Sequence, residues 1–172
     1  VSGGNIDSMV AHYTAARKKR SQDSYSPGKR MGLRPDRPTI VYSCQIRAAY
    51  PELPIFIGGL EASLRRFAHY DYWDDAVRPS ILLESGADLL LYGMGERNTA
   101  QAARLLAQGV PVSQMTGIPG TCFAAGREQF TRLDLAGSVT CPSFDKVKAD
   151  KQAYARAAAL QFREQDPVTG KV

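Results

Sequence analysis

Cysteine and histidine are scarce in this sequence. Its 172 residues contain two histidines and three widely spaced cysteines, Cys44, Cys122 and Cys141. No two of these cysteines are separated by two or three residues, so the chain cannot by itself provide a usual zinc or iron–sulfur ligand set. Three unpaired thiols also fit a reducing cytoplasm better than a secreted disulfide scaffold, and we therefore expect a cytoplasmic protein.

Long apolar runs and common nucleotide-binding motifs are also missing. No run approaches the roughly 20 apolar residues that span a bilayer, and the chain does not open with a signal-peptide pattern. Neither Gly-x-Gly-x-x-Gly nor a lysine-bearing P-loop occurs. We therefore expect no membrane partner and a soluble globular chain, which the apolar content of 44% also fits.

Positive charge is concentrated near the start of the chain. Residues 1–40 contain eight Lys or Arg and three Asp, which equals the whole net charge of +5. Proline and glycine interrupt the polar stretch at about 19–37, so it predicts an extended basic loop inserted between structured segments. Such a loop can attract RNA phosphates. Charge runs usually form solvated loops, however, so we do not expect nucleic acid as a partner and keep an RNA-associating domain as an alternative.

Two apolar segments each lead into a glycine-rich turn followed by helix-forming sequence. Residues 54–57 precede the first turn and residues 88–92 precede the second. This order predicts buried parallel strands whose carboxyl ends meet at one edge of an α/β sheet, where such sheets bind ligands. Glycines let the backbone approach a ligand closely, and the acidic residues stand at the starts of the following helices. The predicted binding residues at this edge are Gly58, Gly59, Glu61, Gly93, Gly95 and Glu96.

The alternation of strands and helices predicts a partial Rossmann-like α/β fold, with a mostly parallel sheet flanked by helices. We expect about four strands, fewer than a complete doubly wound sheet, which indicates a fragment of a longer protein. A first helix, capped by Asn5 or Asp7, is expected to end in the basic run. A second helix is expected to follow Pro38, and Ser80 is expected to cap a short helix that stops at Gly86. A single long helix is expected from Ser143 to about residue 165. The chain is thus divided into an incomplete domain at 1–140 and a connector helix at 141–172.

The segment at 69–75 is too aromatic and acidic for a simple linker. Asp71 stands two residues after His69, and an aspartate near a histidine can orient the imidazole for acid–base chemistry. Histidines in such segments more often pack and form hydrogen bonds. We therefore treat His69 and Asp71 as catalytic candidates, with a packing role as the alternative.

Several longer motifs together closely resemble the N-terminal region of the YgiQ-type (UPF0313) radical SAM proteins. The resemblance covers nearly the whole chain. The matching segments are 2–9 (Ser-Gly-Gly-Asn-Ile-Asp-Ser-Met), 25–28 (Tyr-Ser-Pro-Gly), 34–37 (Arg-Pro-Asp-Arg), 58–66 (Gly-Gly-Leu-Glu-Ala-Ser-Leu-Arg-Arg), 69–73 (His-Tyr-Asp-Tyr-Trp), 87–97 (Ala-Asp-Leu-Leu-Leu-Tyr-Gly-Met-Gly-Glu-Arg) and the tail from 142 to 167.

The resemblance implies an iron–sulfur enzyme of undefined substrate, in which this region precedes a catalytic barrel. The Cys-x-x-x-Cys-x-x-Cys motif of that family holds a 4Fe-4S cluster that reductively cleaves S-adenosylmethionine (SAM). It is absent here and, by the resemblance, would lie downstream of Val172. We therefore expect no cofactor in this fragment alone. Its partner would be the downstream radical SAM domain of the same polypeptide, whose active site it would cover.

The resemblance also implies a cobalamin-binding-like domain. Gly58-Gly59 is similar to the end of the cobalamin fingerprint, and the loop containing Ser2 and Asn5 stands where an earlier part of it would fall, with Gly4 in place of a leucine. The motif that supplies the cobalt-ligating histidine would precede Val1. Cobalamin binding and a fold that only shields the active site both remain open. A separate alternative is an independent α/β module that binds a nucleotide or phosphate at the two glycine turns.

Overall fold

The computed structural model describes residues 1–4, 6–166 and 168–170. They form two compact units. The first combines Val1–Phe67 with Ser80–Ala124, and the second combines Ala68–Pro79 with the chain from Ala125 onward. No helix among the described residues is both long enough and apolar enough to cross a membrane.

Helices and strands alternate along most of the chain. The helices are α1 (Pro38–Ala49), α2 (Leu60–Leu64), α3 (Ile81–Ser85), α4 (Glu96–Ala107), α5 (Arg127–Phe130), α6 (Phe144–Ala149) and α7 (Lys151–Glu164). The strands are β1 (Phe56–Gly58), β2 (His69–Asp71), β3 (Ala76–Arg78), β4 (Leu89–Leu91) and β5 (Thr121–Cys122). Short 3-10 turns cover Pro27–Lys29 and Val112–Gln114.

The sheet of the first unit has β4 at its centre. β4 pairs in parallel with β1, where Gly58 lies opposite Leu91, and it pairs antiparallel with β5, where Leu91 lies opposite Thr121. The structure thus confirms an α/β fold, with a sheet of parallel and antiparallel strands flanked by helices. The more specific Rossmann-like assignment stays a prediction, because one of these two pairings is antiparallel.

Successive residues of β4 face two separate cores. Leu90 lies in one core, and Leu89 and Leu91 lie in the other, because neighbouring side chains of a strand point to opposite faces of the sheet. The buried residues around Leu90 are Ile55, Ile57, Ala62, Ile81 and Leu82. Those around Leu89 and Leu91 are Ala102, Met115 and Ile118. Both faces of the sheet are therefore covered.

Local sequence sets the ends of α1 and α3 as predicted. Pro38 begins α1, where a missing backbone N–H costs nothing. At the start of α3, the Ser80 hydroxyl accepts a hydrogen bond from the Leu82 amide at 3.2 Å. Gly86 then ends α3 in the left-handed conformation, with φ of +61°.

The predicted C-terminal helix is divided at Asp150. This residue is extended, with φ of −134° and ψ of 119°. Its carboxylate accepts hydrogen bonds from the amides of Gln152 at 2.9 Å and Ala153 at 3.3 Å. Because an aspartate satisfies the unpaired amides of a new helix better than it continues an old one, two helices replace the one expected from Ser143.

The second unit contains a hairpin that the sequence did not predict. β2 and β3 are antiparallel, with Tyr70 opposite Val77. The Asp71 carboxylate closes the turn by accepting hydrogen bonds from the amides of Trp73 and Asp74, both at 2.9 Å. The Tyr154 hydroxyl of α7 accepts a hydrogen bond from the Tyr70 amide at 3.2 Å, which attaches the hairpin to the helices of the same unit.

The helix predicted near the start of the chain does not form. Asp7 begins a turn instead, by accepting a hydrogen bond from the Met9 amide at 2.8 Å, and the chain then reverses between Thr14 and Lys18. Arg17 adopts the left-handed conformation at this reversal, with φ of +59°, which a continuing helix does not allow. The alternative cap, Asn5, lies outside the described residues.

A buried ion-pair network holds the basic loop. The carboxylate of Asp23 is fully buried and is paired with Arg34 through two bonds, at 2.7 and 2.9 Å. Ser26 donates a further hydrogen bond to it at 2.7 Å. The two ring nitrogens of His12 lie 2.6 Å from Asp36 and 3.5 Å from Asp23. Ion pairs and hydrogen bonds, rather than apolar packing, therefore hold the loop in place.

The network should make stability depend on pH. The Arg34 guanidinium holds the pKa of Asp23 well below its usual range. Burial opposes a lower pKa at Asp36, but hydrogen bonds from His12 and Tyr13 lower that pKa on balance. Both carboxylates therefore stabilise the fold above the unfolded aspartate pKa of about 3.9. The free energy of unfolding should decrease progressively below about pH 4, as measured by urea denaturation.

Replacing the cation tests the same network. Arg34→Met leaves the buried Asp23 carboxylate without its guanidinium partner and should lower the free energy of unfolding by about 3–5 kcal/mol at pH 7. The free energy of unfolding of this variant should also decrease less on acidification than that of the unmodified chain. Arg30→Met is the matched control, because Arg30 is exposed and should change stability by about 0.5 kcal/mol or less. Equal stability of the two variants would contradict this account.

Candidate functional site: the carboxyl edge of the sheet

Two turns and the N-terminal residues meet at the carboxyl edge of the parallel strands. β1 and β4 run in the same direction, so the turns after Gly58 and after Leu91 emerge together. Val1 lies along the other side of β1: its carbonyl accepts a hydrogen bond from the Gly58 amide at 3.1 Å, and its amino group donates to the Phe56 carbonyl at 2.6 Å. Ser2 therefore reaches the same edge. The structure therefore brings together the two predicted glycine turns and the segment that contains Ser2.

Gly59 makes the closest approach at this edge. Its φ of +88° is in the region that favours glycine. A Cβ atom at this position would lie 2.5 Å from the Ser2 hydroxyl oxygen, so the Ser2 side chain would have to move to admit it. The backbone conformation is thus the main reason for glycine at position 59, and a ligand contact at these two residues stays a prediction.

Ser63 joins the first glycine turn to the second. Its hydroxyl donates to the Gly59 carbonyl at 2.8 Å and accepts from the Gly93 amide at 3.2 Å. Ser63 lies one helical turn beyond Gly59 in α2, so a spacing of four residues places its hydroxyl over the start of the helix. Sequence reasoning did not single out Ser63, although this spacing was visible.

Glu61 attaches the beginning of the chain to α2. Its side chain is only 2% exposed, and its Oε1 accepts hydrogen bonds from the Ser8 amide at 3.1 Å and the Ser8 hydroxyl at 2.9 Å. Arg65 lies 3.4 Å from the same oxygen and 3.2 Å from the Asp7 carboxylate. Oε2 of Glu61 is buried and has no hydrogen-bond partner among the described residues. The sequence predicted a binding role for Glu61, whereas its contacts with Ser8 and Arg65 in the structure join two parts of the chain.

Gly95 and Glu96 stand at the start of α4. Glu96 is exposed in the first turn, where a negative charge interacts favourably with the helix dipole. A Cβ atom on Gly95 would lie 3.6 Å from its nearest neighbours, which is an ordinary contact distance, so there is room for a side chain at this position. Deeper in the same helix, Asn98 donates a hydrogen bond to the Gly120 carbonyl at 2.9 Å. The binding roles of Gly93, Gly95 and Glu96 remain predictions.

Large apolar side chains surround the same edge. Leu60 and Leu64 of α2 are 63% and 61% exposed, and Met94, which follows Gly93, is 89% exposed. Beside them the Arg66 guanidinium lies 4.9 Å from the Phe67 ring and 4.7 Å from the Tyr92 ring. Arg66 also donates a hydrogen bond to the Ser63 carbonyl. We call Leu60, Leu64 and Met94 the apolar rim.

The two catalytic candidates belong to the second unit. His69 and Asp71 occupy the first and last positions of β2, opposite Arg78 and Ala76. Asp71 is buried and its carboxylate bonds to the backbone of the following turn. A catalytic role for these residues stays a prediction, as does a binding role for Asn5, which lies outside the described residues.

The cysteines do not fit an iron–sulfur cluster. Cys44 lies on α1, Cys122 on β5, and Cys141 in the second unit. Burial raises the pKa of the Cys122 thiol to about 11, although Arg66 opposes the shift, so this thiol is protonated at neutral pH. Throughout residues 1–4, 6–166 and 168–170, no three His, Cys, Asp or Glu side chains are arranged to hold a metal ion. We therefore assign no cluster-dependent step to these residues.

The role of Glu61 can be tested by removing its charge. Glu61→Gln weakens the attraction to Arg65 and places an amide where the buried carboxylate stood, so we expect a loss of about 1–3 kcal/mol in the free energy of unfolding. Glu96→Gln is the matched control, because Glu96 is exposed, and it should cost about 0.5 kcal/mol or less. Urea denaturation measures both. A Glu61→Gln variant as stable as the control would show that the buried contacts contribute little.

Comparisons with known proteins identify the family. The model of the Radical SAM N-terminal family matches residues 1–172. A UPF0313 protein of Clostridium botulinum (strain Okra / Type B1) is 50% identical over 171 residues, which cover 99% of this chain and 26% of that protein. A UPF0313 protein of Clostridium perfringens (strain ATCC 13124) is 51% identical over 173 residues, covering 99% of this chain and 25% of that protein.

The chain spans about a quarter of the length of these curated relatives. No solved structure matches it. The match over the full length of the chain is the decisive observation, and it confirms the resemblance inferred from the sequence motifs: this chain belongs to the Radical SAM N-terminal family.

Proposed function

We propose that this chain is an accessory domain of a radical SAM iron–sulfur enzyme and that the carboxyl edge of its sheet covers the active site of a downstream domain. The apolar rim carries this proposal. Leu60 and Leu64 lie one helical turn apart on α2, and Met94 follows Gly93, whose amide bonds to Ser63 of the same helix; all three side chains are exposed. Grouped large apolar side chains of this kind mark surfaces that another protein surface covers. The relatives, about four times longer, contain enough chain to supply that surface.

The covered edge is well suited to exclude water. Ser63 ties the two glycine turns together, and the Arg66 guanidinium stacks on Tyr92 beside them. The edge is therefore held in one shape before any partner arrives, which lowers the entropic cost of docking. The cluster and SAM of the family would supply the radical chemistry. This chain would contribute positioning and protection from solvent.

The glycine turns would line the covered space. In this proposal the turns at Gly58-Gly59 and Gly93-Gly95 approach the bound molecule through backbone, while Ser2, Glu61 and Glu96 stand behind them. The exposed Gly59 and Gly93 are the residues best placed for such contact. Small residues at these positions permit close approach without displacing the partner domain.

The contacts at this edge favour shielding over cobalamin binding. By the resemblance the cobalt-ligating histidine would precede Val1, and His12 is held in a structural contact, because its ring nitrogens face the carboxylates of Asp36 and Asp23. At Gly59, the space of a missing side chain is occupied by the Ser2 hydroxyl. We therefore derive no step through cobalamin and propose shielding as the function of this edge.

Hydrogen–deuterium exchange tests whether the edge is covered. In the longer protein, the amides of residues 59–66 and 92–96 should exchange at least tenfold more slowly than in the 172-residue chain, because docking removes them from solvent. Residues 81–85 are the internal control, since α3 leads toward the amino end of β4. Equal exchange of the edge in both proteins would contradict the proposal.

A substitution test separates docking from folding. Leu64→Glu in the longer protein should restore the faster exchange of the edge, because a charge on the apolar rim opposes burial. Leu83→Glu is the matched control, because Leu83 is 62% exposed on α3. If both variants keep the slow exchange of the unmodified protein, the rim does not form the contact.

An activity assay tests the enzyme assignment separately. The longer protein, prepared without oxygen, should contain iron and sulfide and should form 5′-deoxyadenosine from SAM when dithionite is added. The 172-residue chain should not. Cleavage by the short chain would contradict the accessory role. Failure of the longer protein to bind a cluster would contradict the assignment itself and would favour a binding module at the glycine turns.

A further inference from the structure

A groove of about 790 Å³ lies in the N-terminal part of the first unit. It is separate in sequence from the glycine turns, because the residues that line it fall between Ile6 and Tyr25. Its size is in the range of small-molecule and cofactor sites. The proposed shielding role makes no use of this groove.

One wall of the groove is strongly cationic. Lys18, Lys19 and Arg20 line it in succession, directly after the chain reversal at Thr14. The two lysine side chains are exposed and form no ion pair with any residue that the structure describes. Asp7 is the acidic residue on the lining, and its carboxylate lies 3.2 Å from Arg65. The groove therefore has an excess of positive charge that acidic neighbours do not cancel.

The backbone of the cationic wall and the Arg20 side chain are held in place by hydrogen bonds. Nε of Arg20 donates to the carbonyl oxygens of Val10 at 2.9 Å and Tyr13 at 3.0 Å. The Thr14 amide also donates to the Lys18 carbonyl at 2.8 Å. These contacts keep the three cations on one short hairpin. A fixed arrangement of this kind loses less entropy on binding an anion than a flexible basic tail does.

An aromatic ring stands at the same groove. Tyr25 lines it and is 58% exposed. The Arg34 guanidinium lies 5.0 Å from the centre of this ring, and Arg34 is in turn fixed by the buried Asp23. The ring is thus supported from one side by a buried ion pair, which is the arrangement of a rigid stacking platform.

We propose that this groove binds a phosphorylated nucleoside, with the phosphate at Lys18, Lys19 and Arg20 and the base stacked on Tyr25. Fixed cations and an exposed aromatic ring are together the combination that holds phosphate and base in nucleic-acid-binding proteins. Apolar side chains of Ile6 and Val10 on the lining add contact for the ribose and base. The ligand is either a free nucleotide or a nucleotide within single-stranded RNA.

The proposal is tested by binding to the 172-residue chain at low salt. The probe is a six-nucleotide RNA of mixed sequence, followed by fluorescence anisotropy, and AMP and inorganic pyrophosphate are competitors. Lys18→Gln/Lys19→Gln should weaken RNA binding at least tenfold. It should also reduce the slope of log K against log salt concentration by about 1.4. For single strands each lost phosphate contact lowers this slope by about 0.7, and the variant loses two.

Lys29→Gln/Arg30→Gln is the matched control. It removes the same charge from the same basic loop, outside the groove lining. This control should bind RNA within about twofold of the unmodified chain. If both double variants weaken binding equally, the basic loop attracts RNA through charge alone and the groove is not a site.

Stacking is tested at Tyr25. Tyr25→Ala should weaken binding by roughly tenfold, as expected for loss of one base–aromatic contact, whereas Tyr25→Phe should keep it. Circular dichroism and urea denaturation confirm that both variants fold. Unchanged affinity in a folded Tyr25→Ala variant would overturn the stacking part of the proposal, as would pyrophosphate competing as well as AMP.

The competitors separate the two sources of the ligand. Displacement of the RNA by micromolar AMP would assign the groove to a free nucleotide. Binding of the six-nucleotide RNA that AMP does not displace would assign the groove to single-stranded RNA. Absence of binding by every probe would overturn the proposal, and the exchange and cleavage experiments on the longer protein would be unaffected.

Discussion

The parallel pairing of β1 with β4 is the constraint on which the rest of the first unit depends. Its register places Gly58 opposite Leu91, so the two glycine turns emerge at one edge. The same register directs Leu90 into one core and Leu89 and Leu91 into the other. A slip of one residue would reverse these faces and separate the turns. Core packing and the geometry of the edge are therefore set by the same few hydrogen bonds.

Polar and charged contacts, rather than a third apolar core, hold the N-terminal segment in place. Glu61 of α2 binds Ser8 and so attaches the segment to the rest of the unit, while the pairs Arg34–Asp23 and Asp36–His12 order the segment internally. Buried polar contacts are directional and cost much when one partner is lost, so they favour one arrangement of a long irregular segment. The segment can then present the cationic groove while burying few apolar side chains of its own, chiefly Met9 and Ala11.

The sequence predicted well what depends on local signals. Pro38, Ser80 and Gly86 marked helix ends correctly, and the apolar runs before the glycines marked β1 and β4. Contacts between distant residues were not visible. The network around Asp23 and the hold of Glu61 on Ser8 depend on the folded path of an irregular segment, which periodicity does not encode. The hairpin at His69 and Ala76 was missed because short polar strands have weak sequence patterns. The break at Asp150 was missed because good helix formers stand on both sides of this capping residue.

The contact between Ser2 and Gly59 limits how this edge can diverge among related sequences. A Cβ atom at position 59 would lie 2.5 Å from the Ser2 hydroxyl oxygen, so a side chain there would require the side chain at position 2 to move. Even a shortened residue 2 would leave the φ of +88° at position 59, which still favours glycine. Sequence variation at this edge is therefore expected mainly at Leu60, Leu64 and Met94, whose side chains are exposed. Relatives that differ in their partner surface can therefore differ at the rim while keeping the same backbone beneath it.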